Sequence, residues 1–295
     1  MSLRWCLLGG FVVVCLVSAR WALTDAKTKD LDSKAASADA ERRRTLIQSE
    51  TAQLVQHPWA GEYYKGDGLG ENSSLSISPE QGYVFEWHGC LGLYDRNYGN
   101  VTVKGNELHL EYTFPSQRRR GLGLAPILVP VIWGTRHYLV PNDEMIRFCN
   151  SVNSGSERNG DAWSFFLRQG DPPEEPTGLP KVPEEFDSYL LRKPVEAQIL
   201  SVGQYTIEPG LAETKFYIYP VKIDAGSASG LQVGMELDVL EPPSTFQTVE
   251  ITKVEQNQSE GVIEQMDDDR HTPVVGSRLS TRNPLYDRLR ESRGE

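Results

Sequence analysis

Apolar and polar positions alternate through much of the chain, and the period is two. Tyr83, Phe85 and Trp87 alternate with Val84, Glu86 and His88, while Leu108, Leu110, Tyr112 and Phe114 alternate with Glu107, His109, Glu111 and Thr113. That is the pattern of a strand with one buried face. Shorter runs at 62–64, 74–78, 98–103, 127–133, 136–140 and 163–168 extend it, and the segment 58–170 is predicted to be a β-meander or small barrel. One stretch has the helical period instead: Met145, Phe148, Cys149 and Val152 fall at i, i+3, i+4 and i+7. Pro141-Asn142-Asp143 opens it and Ser154-Gly155 closes it, which predicts a helix packed on the first domain.

Beyond residue 188 strands recur at 197–202, 215–223, 235–240, 249–254, 261–266 and 277–281, with no helix of useful length between them. This predicts an SH3-like or OB-like barrel over 188–283 and a mainly β protein. Between the two domains, 171–187 holds five prolines and six acids against one lysine, a composition of extended linker. Residues 284–295 read as a charged, frayed tail.

The N-terminus has its own character. After Arg4 an uncharged run from Trp5 to Ala19 is too short to span a bilayer, and Val17-Ser18-Ala19 offers small residues for cleavage. Residues 1–19 are therefore a secretory signal peptide, or else an uncleaved anchor, and the protein is expected in the periplasm, the cell envelope or outside the cell. Residues 20–57 supply a flexible stalk and then a helix from about Asp39 to Gln56, with Asp39 as N-cap.

Charge narrows the partners. The 295-residue chain carries 41 acids against 30 Lys and Arg, a net −11, which disfavours nucleic acid and anionic membrane surfaces. Contact with membrane is expected only through the N-terminal segment. Loss of the signal leaves Cys90 and Cys149, which in an oxidising compartment form either one disulfide or two buried thiols.

The run Gly226-Ser227-Ala228-Ser229-Gly230-Leu231-Gln232-Val233-Gly234-Met235, followed by Glu236-Leu237-Asp238-Val239, resembles a β-barrel module of bacterial envelope proteins. It is similar to the module of the rod-shape-determining scaffold family (MreC type) and to the C-terminal domain of a flagellar assembly family. Val249–Val254 and then Val274-Val275-Gly276-Ser277-Arg278-Leu279 stand where that module repeats its strand and closes. The resemblance covers about a third of the chain and implies protein contact with no catalytic residue. The first domain resembles exported bacterial proteins with a G-x-Y-Y-x-G-D-G opening, here Gly61–Gly68, and a W-H-G-C-L-G-L-Y-D-R-N centre, here Trp87–Asn97.

The densest chemistry lies in that centre. His88 and Cys90 could form a thiol–imidazole pair with Asp95 nearby, the elements of a hydrolase. A turn of Asp95-Arg96-Asn97 whose side chains bond local backbone explains the same residues. Arg118, Arg119 and Arg120 could grip a phosphate or carboxylate, and the apolar run 122–133 ending at Trp133 could line a ligand cavity, though core packing explains it as well. A metal would need His88, His109, His137, Asp143 and Glu144 to converge; no histidine pair has helical spacing and no CxxC occurs. No phosphate-cradling loop or dinucleotide fingerprint is present, and no cofactor is expected. Three functions remain open: a non-enzymatic envelope or secreted protein that binds a protein or small ligand, a hydrolase using His88, Cys90 or Asp95, and a lipocalin-like carrier.

Overall fold

The computed structural model describes residues 35–54, 56–68, 70–112, 123–157, 164–172, 174–210, 214–241, 247–266 and 272–293. The segment read as a signal peptide or anchor, that read as a stalk up to residue 34, and Arg118, Arg119 and Arg120 lie outside them. The protein is mainly β, with two closed barrels and a few helices.

The first barrel is an eight-stranded antiparallel meander: β1 (Gly61–Gly66), β2 (Glu71–Ser78), β3 (Gly82–Gly89), β4 (Gly92–Lys104), β5 (Glu107–Tyr112), β6 (Ile127–Trp133), β7 (Arg136–Pro141) and β8 (Phe166–Arg168). Tyr63 on β1 pairs with Arg168 on β8, which closes it. Strand alternation sends Tyr63, Leu75, Ile77, Tyr83, Phe85, Leu108, Leu110, Leu128, Leu139 and Phe166 into one buried cluster. The barrel interior is a packed core of large side chains.

Two helices cover the outside of this barrel. Helix α1, over residues 35–51, buries Ala36, Ala40 and Ile47 against Val84 and Tyr98. The expected helix ran from about Asp39, as N-cap, to Gln56; the chain is already helical at residue 35, so Asp39 is inside the helix, which ends at Thr51 ahead of a turn in which Gln56 adopts φ 61. The docking is specific. The Glu50 carboxylate accepts the Glu80 and Gln81 N–H groups, both at 3.1 Å, and the Ser78 hydroxyl at 2.6 Å. Arg43 donates to the Gln81 carbonyl at 2.7 Å.

Helix α2 (Met145–Ser154) follows a single 3-10 turn and ends at Gly155, whose φ of 90 only glycine adopts without strain. Its expected stripe, Met145, Phe148, Cys149 and Val152, packs on Val129, Val131, Trp133, Tyr138 and Val140, the outward residues of β6 and β7. The acidic linker packs here too. The Trp133 indole N–H donates to the Gly178 carbonyl at 3.1 Å, the Lys181 N–H donates to Ile132 O at 3.1 Å, and Val182 is buried beside α2. The linker is extended as its composition implies, but its prolines keep it flat against the barrel wall; Pro176 and Pro180 are buried. A short helix α3 (Glu184–Asp187) completes it.

The second barrel comprises β9 (Glu196–Val202), β10 (Thr206–Pro209), β11 (Lys215–Ile223), β12 (Glu236–Glu241), β13 (Thr248–Val254), β14 (Ser259–Met266) and β15 (Arg278–Ser280). Six of them close in the order β9, β11, β14, β13, β12, β15, and β10, which the sequence did not suggest, extends β11. The core is mostly aliphatic: Ile199, Val221, Ile223, Leu237, Val249, Ile251, Ile263 and Leu279, with Met235 and Tyr219. The charged tail is helix α4 (Pro284–Arg293), opened by Asn283, whose side chain accepts the Leu285 N–H at 3.0 Å.

Helix α2 joins the barrels. Asn150 donates to the Gly234 carbonyl at 2.9 Å and accepts the Glu236 N–H at 3.3 Å. Asn153, three residues on, donates to Tyr189 O at 2.8 Å and accepts the Leu191 N–H at 2.9 Å. The face of α2 turned from the first barrel thus satisfies backbone groups around the second.

Candidate functional site

The hairpin of β3 and β4 carries the residues singled out for chemistry, and its register decides how they meet. The turn is Gly89-Cys90-Leu91-Gly92, with Gly92 at φ 103. Asp95, Arg96 and Asn97 are strand residues opposite Trp87, Glu86 and Phe85, so reading them as a turn is incorrect. The turn is earlier because two glycines bracket Cys90-Leu91, and a bulge between Trp87 and His88 absorbs the odd residue.

The pleat then separates the three candidates. Asn97 faces the interior, where Tyr83 donates to its Oδ1 at 3.0 Å, and Asp95, two residues earlier, shares that face at 8% exposure. His88 is on the outer surface with its side chain 49% exposed and its Nε2 3.7 Å from Glu86 Oε2. Cys90 is exposed in the turn. His88 and Asp95 therefore stand on opposite sides of the barrel wall, and no thiol–imidazole–carboxylate geometry forms.

Glu86, beside His88, belongs to an ion network that fastens α1. Its carboxylate takes Arg44 NH2 and Arg96 Nε, each at 2.7 Å. Burial alone would raise its pKa, but hydrogen bonds from Arg96 and Arg44 outweigh burial and hold it below the usual value. Arg96 also donates to Ser37 on α1 at 2.6 Å.

The expected Cys90–Cys149 disulfide is absent, and both cysteines are free. Cys149 is fully buried in the layer between α2 and the outer barrel wall, while Cys90 stands at a strand turn in solvent. Burial pushes the Cys149 thiol up to about 12, far from the range of a nucleophile. Trp133, a candidate ligand residue, is also fully buried, with its N–H committed to the linker.

The opposite end of the barrel holds a cluster that the sequence did not reveal. Arg168 Nε contacts Asp171 Oδ1 at 2.8 Å, and Asp171 Oδ2 accepts the His137 backbone N–H at 2.7 Å and meets His137 Nδ1 at 3.1 Å. Arg168 also reaches His137 Nε2 at 3.2 Å and the His57 carbonyl at 2.9 Å. With both ring nitrogens engaged, His137 is a structural group. Burial would raise the Asp171 pKa, but hydrogen bonds from His137 and Arg168 hold it low. No sequence signal links these residues, because Asp171 opens the linker and contact with His137 requires barrel closure.

Among the described residues no three His, Cys, Asp or Glu side chains converge as metal ligands. His109 pairs with Glu107 at 2.8 Å, and Asp143 and Glu144 form the turn before α2. No helix of the described residues is long and apolar enough to cross a membrane.

The second barrel carries an exposed apolar surface. β9 holds the turn before β15 through Gly276 N–H to Ile199 O at 2.8 Å and Ile199 N–H to Ser277 O at 3.1 Å. That holds the turn after Val274-Val275 against β9 next to Leu200 in the chain, and Leu200, Val274 and Val275 are exposed by 42%, 53% and 60%. Tyr205 and Ile207 continue the exposed apolar positions into β10.

No protein-family model, curated protein or solved structure matches this chain.

Proposed function

We propose that this chain is a non-enzymatic binding protein of the cell envelope or the secreted set, carried there by its N-terminal segment, with the second barrel as its protein-contact module. The observation that carries the reading is the apolar surface of Leu200, Val274 and Val275 on the seam of β9 and β15. Valine and leucine gathered on an exposed seam of a soluble domain mark a contact surface. The resemblance of Gly226–Val239 and Val274–Leu279 to an envelope contact module supports the same reading. The dispersal of His88, Cys90 and Asp95 favours binding over hydrolysis, and the packed first-barrel core favours it over a lipocalin-like carrier.

A photo-crosslinking residue placed at Val275 in cells tests this, with Thr252 on the charged β13 face as control. A discrete crosslinked species at Val275, lost on Leu200→Asp, supports a contact surface. Equal labelling from both positions overturns it. Fractionation of the same cells tests export, since a cytoplasmic, full-length chain would remove the envelope assignment.

A further inference from the structure

We propose that the tip of the β3–β4 hairpin enters the lipid surface that holds the N-terminal segment, so that the first barrel stands on the bilayer in one orientation. This rests on the reading of residues 1–19 as an uncleaved membrane anchor. The tip carries no charge from Gly89 to Tyr94. Cys90 is exposed, Leu93 is 42% exposed and Leu91 is 91% exposed, the most of any large apolar side chain among the described residues. The tip is built to hold Leu91 outward: the Tyr94 ring occupies the place of a Cβ on Gly89, and its hydroxyl accepts the Leu91 N–H at 3.3 Å. Trp87 packs edge-on against Tyr94, 5.2 Å between ring centroids, one step behind the leucines. Leucine outermost with Trp and Tyr behind it is the order in which a bilayer sorts side chains between hydrocarbon and headgroups. The neighbouring β1–β2 hairpin places Glu71 opposite Gly89, with Asp67 beside it, so the surface that fits is zwitterionic and entry stops at the tip.

Helix α1 shows which end of the barrel faces the incoming chain. Its contacts run in order along the β3–β4 hairpin: Ser37 accepts from Arg96 at 2.6 Å, Arg43 donates to the Gly99 carbonyl at 3.2 Å, and Glu50 accepts the Glu80 and Gln81 N–H groups. Arg96 is level with Glu86 and Gly99 with Tyr83, so α1 starts toward the tip and ends at the β2–β3 turn. Four residues of strand, about 14 Å, separate Glu86 from Cys90. The fifteen residues 20–34, between the apolar run and α1, reach at most about 50 Å. A bilayer holding residues 1–19 therefore lies nearest the end of the barrel where Leu91 and Leu93 project. Tethering keeps the local lipid concentration high, and two leucines then suffice for contact.

The test uses the full chain with Cys6→Ser and Cys15→Ser in phosphatidylcholine vesicles, labelled at Cys90 with a polarity-sensitive dye; Cys149 is buried and stays unlabelled. The control dye is on Asn106→Cys in a Cys90→Ser chain, in the exposed β4–β5 turn at the opposite end of the barrel. Flotation with the vesicles reports the anchor, and a chain that does not float overturns both the anchorage and the tip contact. In the floating chain the dye at Cys90 is expected to shift to the blue and to be quenched by brominated phosphatidylcholine, the dye at residue 106 to do neither. Leu91→Asp with Leu93→Asp is expected to abolish the shift while flotation persists. Equal quenching at both positions overturns the tip contact and leaves the anchor standing. A dye at Cys90 shielded from aqueous iodide but untouched by brominated lipid overturns it too, by placing the tip against protein such as a second copy. The apolar seam of the second barrel is unaffected by any of these results.

Discussion

The two barrels solve the same closure problem with different interiors. Eight strands enclose more volume than six, and the first barrel fills it with Tyr63, Tyr83, Phe85 and Phe166, whereas the second is filled mainly by Val, Ile and Leu. Large aromatics bring hydroxyls that need partners: Tyr63 donates to Trp59 O at 3.0 Å and Tyr83 to Asn97 at 3.0 Å. The wider barrel therefore admits polar groups at its ends, Arg168 and Asp171 at one and Asp95 and Asn97 toward the other. Among its buried core residues the narrower barrel holds a single large aromatic, Tyr219. Interior width thus separates what each core can hold.

The comparison breaks first at the core. Phe85→Ala in the first barrel is expected to cost about 3–5 kcal/mol, and Ile251→Val in the second about 0.5–1.5 kcal/mol, measured by denaturant unfolding. Of similar size is the loss of a buried ion partner. Arg168→Met strands Asp171 and is expected to cost about 3–5 kcal/mol, and adding Asp171→Asn should restore part of it; equal losses in the single and double variants would show that Arg168 acts by packing alone. Smaller is the junction: Asn150→Ala removes one donor and one acceptor and is expected to cost about 1–3 kcal/mol. Calorimetry should then show one transition dividing into two, one for each barrel.

Acidification should shift the domains in opposite directions. Asp171 and Glu86, on the first barrel, have lowered pKa values, so the stability they give is present above the unfolded carboxylate value of about 4 and is lost as pH falls through the lower folded value. Asp238 on β12 is raised, chiefly by burial and against hydrogen bonds from Thr248 and Asn283. Its contribution is fully present below about 4 and is lost as pH rises through its folded value. Hydrogen exchange at pH 6 and pH 3 is expected to show protection falling in β3 and β8 more than in β12; a uniform fall would erase the contrast. The smallest effect is at Cys90, where Cys90→Ser should change stability by no more than about 0.5 kcal/mol. In the native protein a thiol reagent should label Cys90 at once and Cys149 only on unfolding.

Much of the architecture was legible in the sequence because its cause is local. Short apolar runs placed Lys215–Ile223 and Ile127–Trp133 at their observed limits, and the i, i+3, i+4, i+7 stripe located α2. β10 escaped because Thr206–Pro209 is exposed throughout and has no alternation to detect. The tail helix escaped because its charged surface resembles that of a disordered end. The linker composition correctly implied extended chain, but burial of Pro176 and Pro180 depends on a distant barrel wall.

The candidate site was less legible, for the same reason. Proximity in sequence gathered His88, Cys90 and Asp95, and a half-turn of pleat with one bulge separated them. Cys90 and Cys149 satisfied the arithmetic of a disulfide, yet no count of cysteines reports that one is in a turn and the other beneath a helix. By itself the sequence determined the strands, the main helix and the division into two β domains, since each follows from short-range periodicity and turn residues. Tertiary structure alone decided the partner of each polar group, because ion pairs such as Arg168 with Asp171 and His137 exist only once closure fixes which face of each strand is inside.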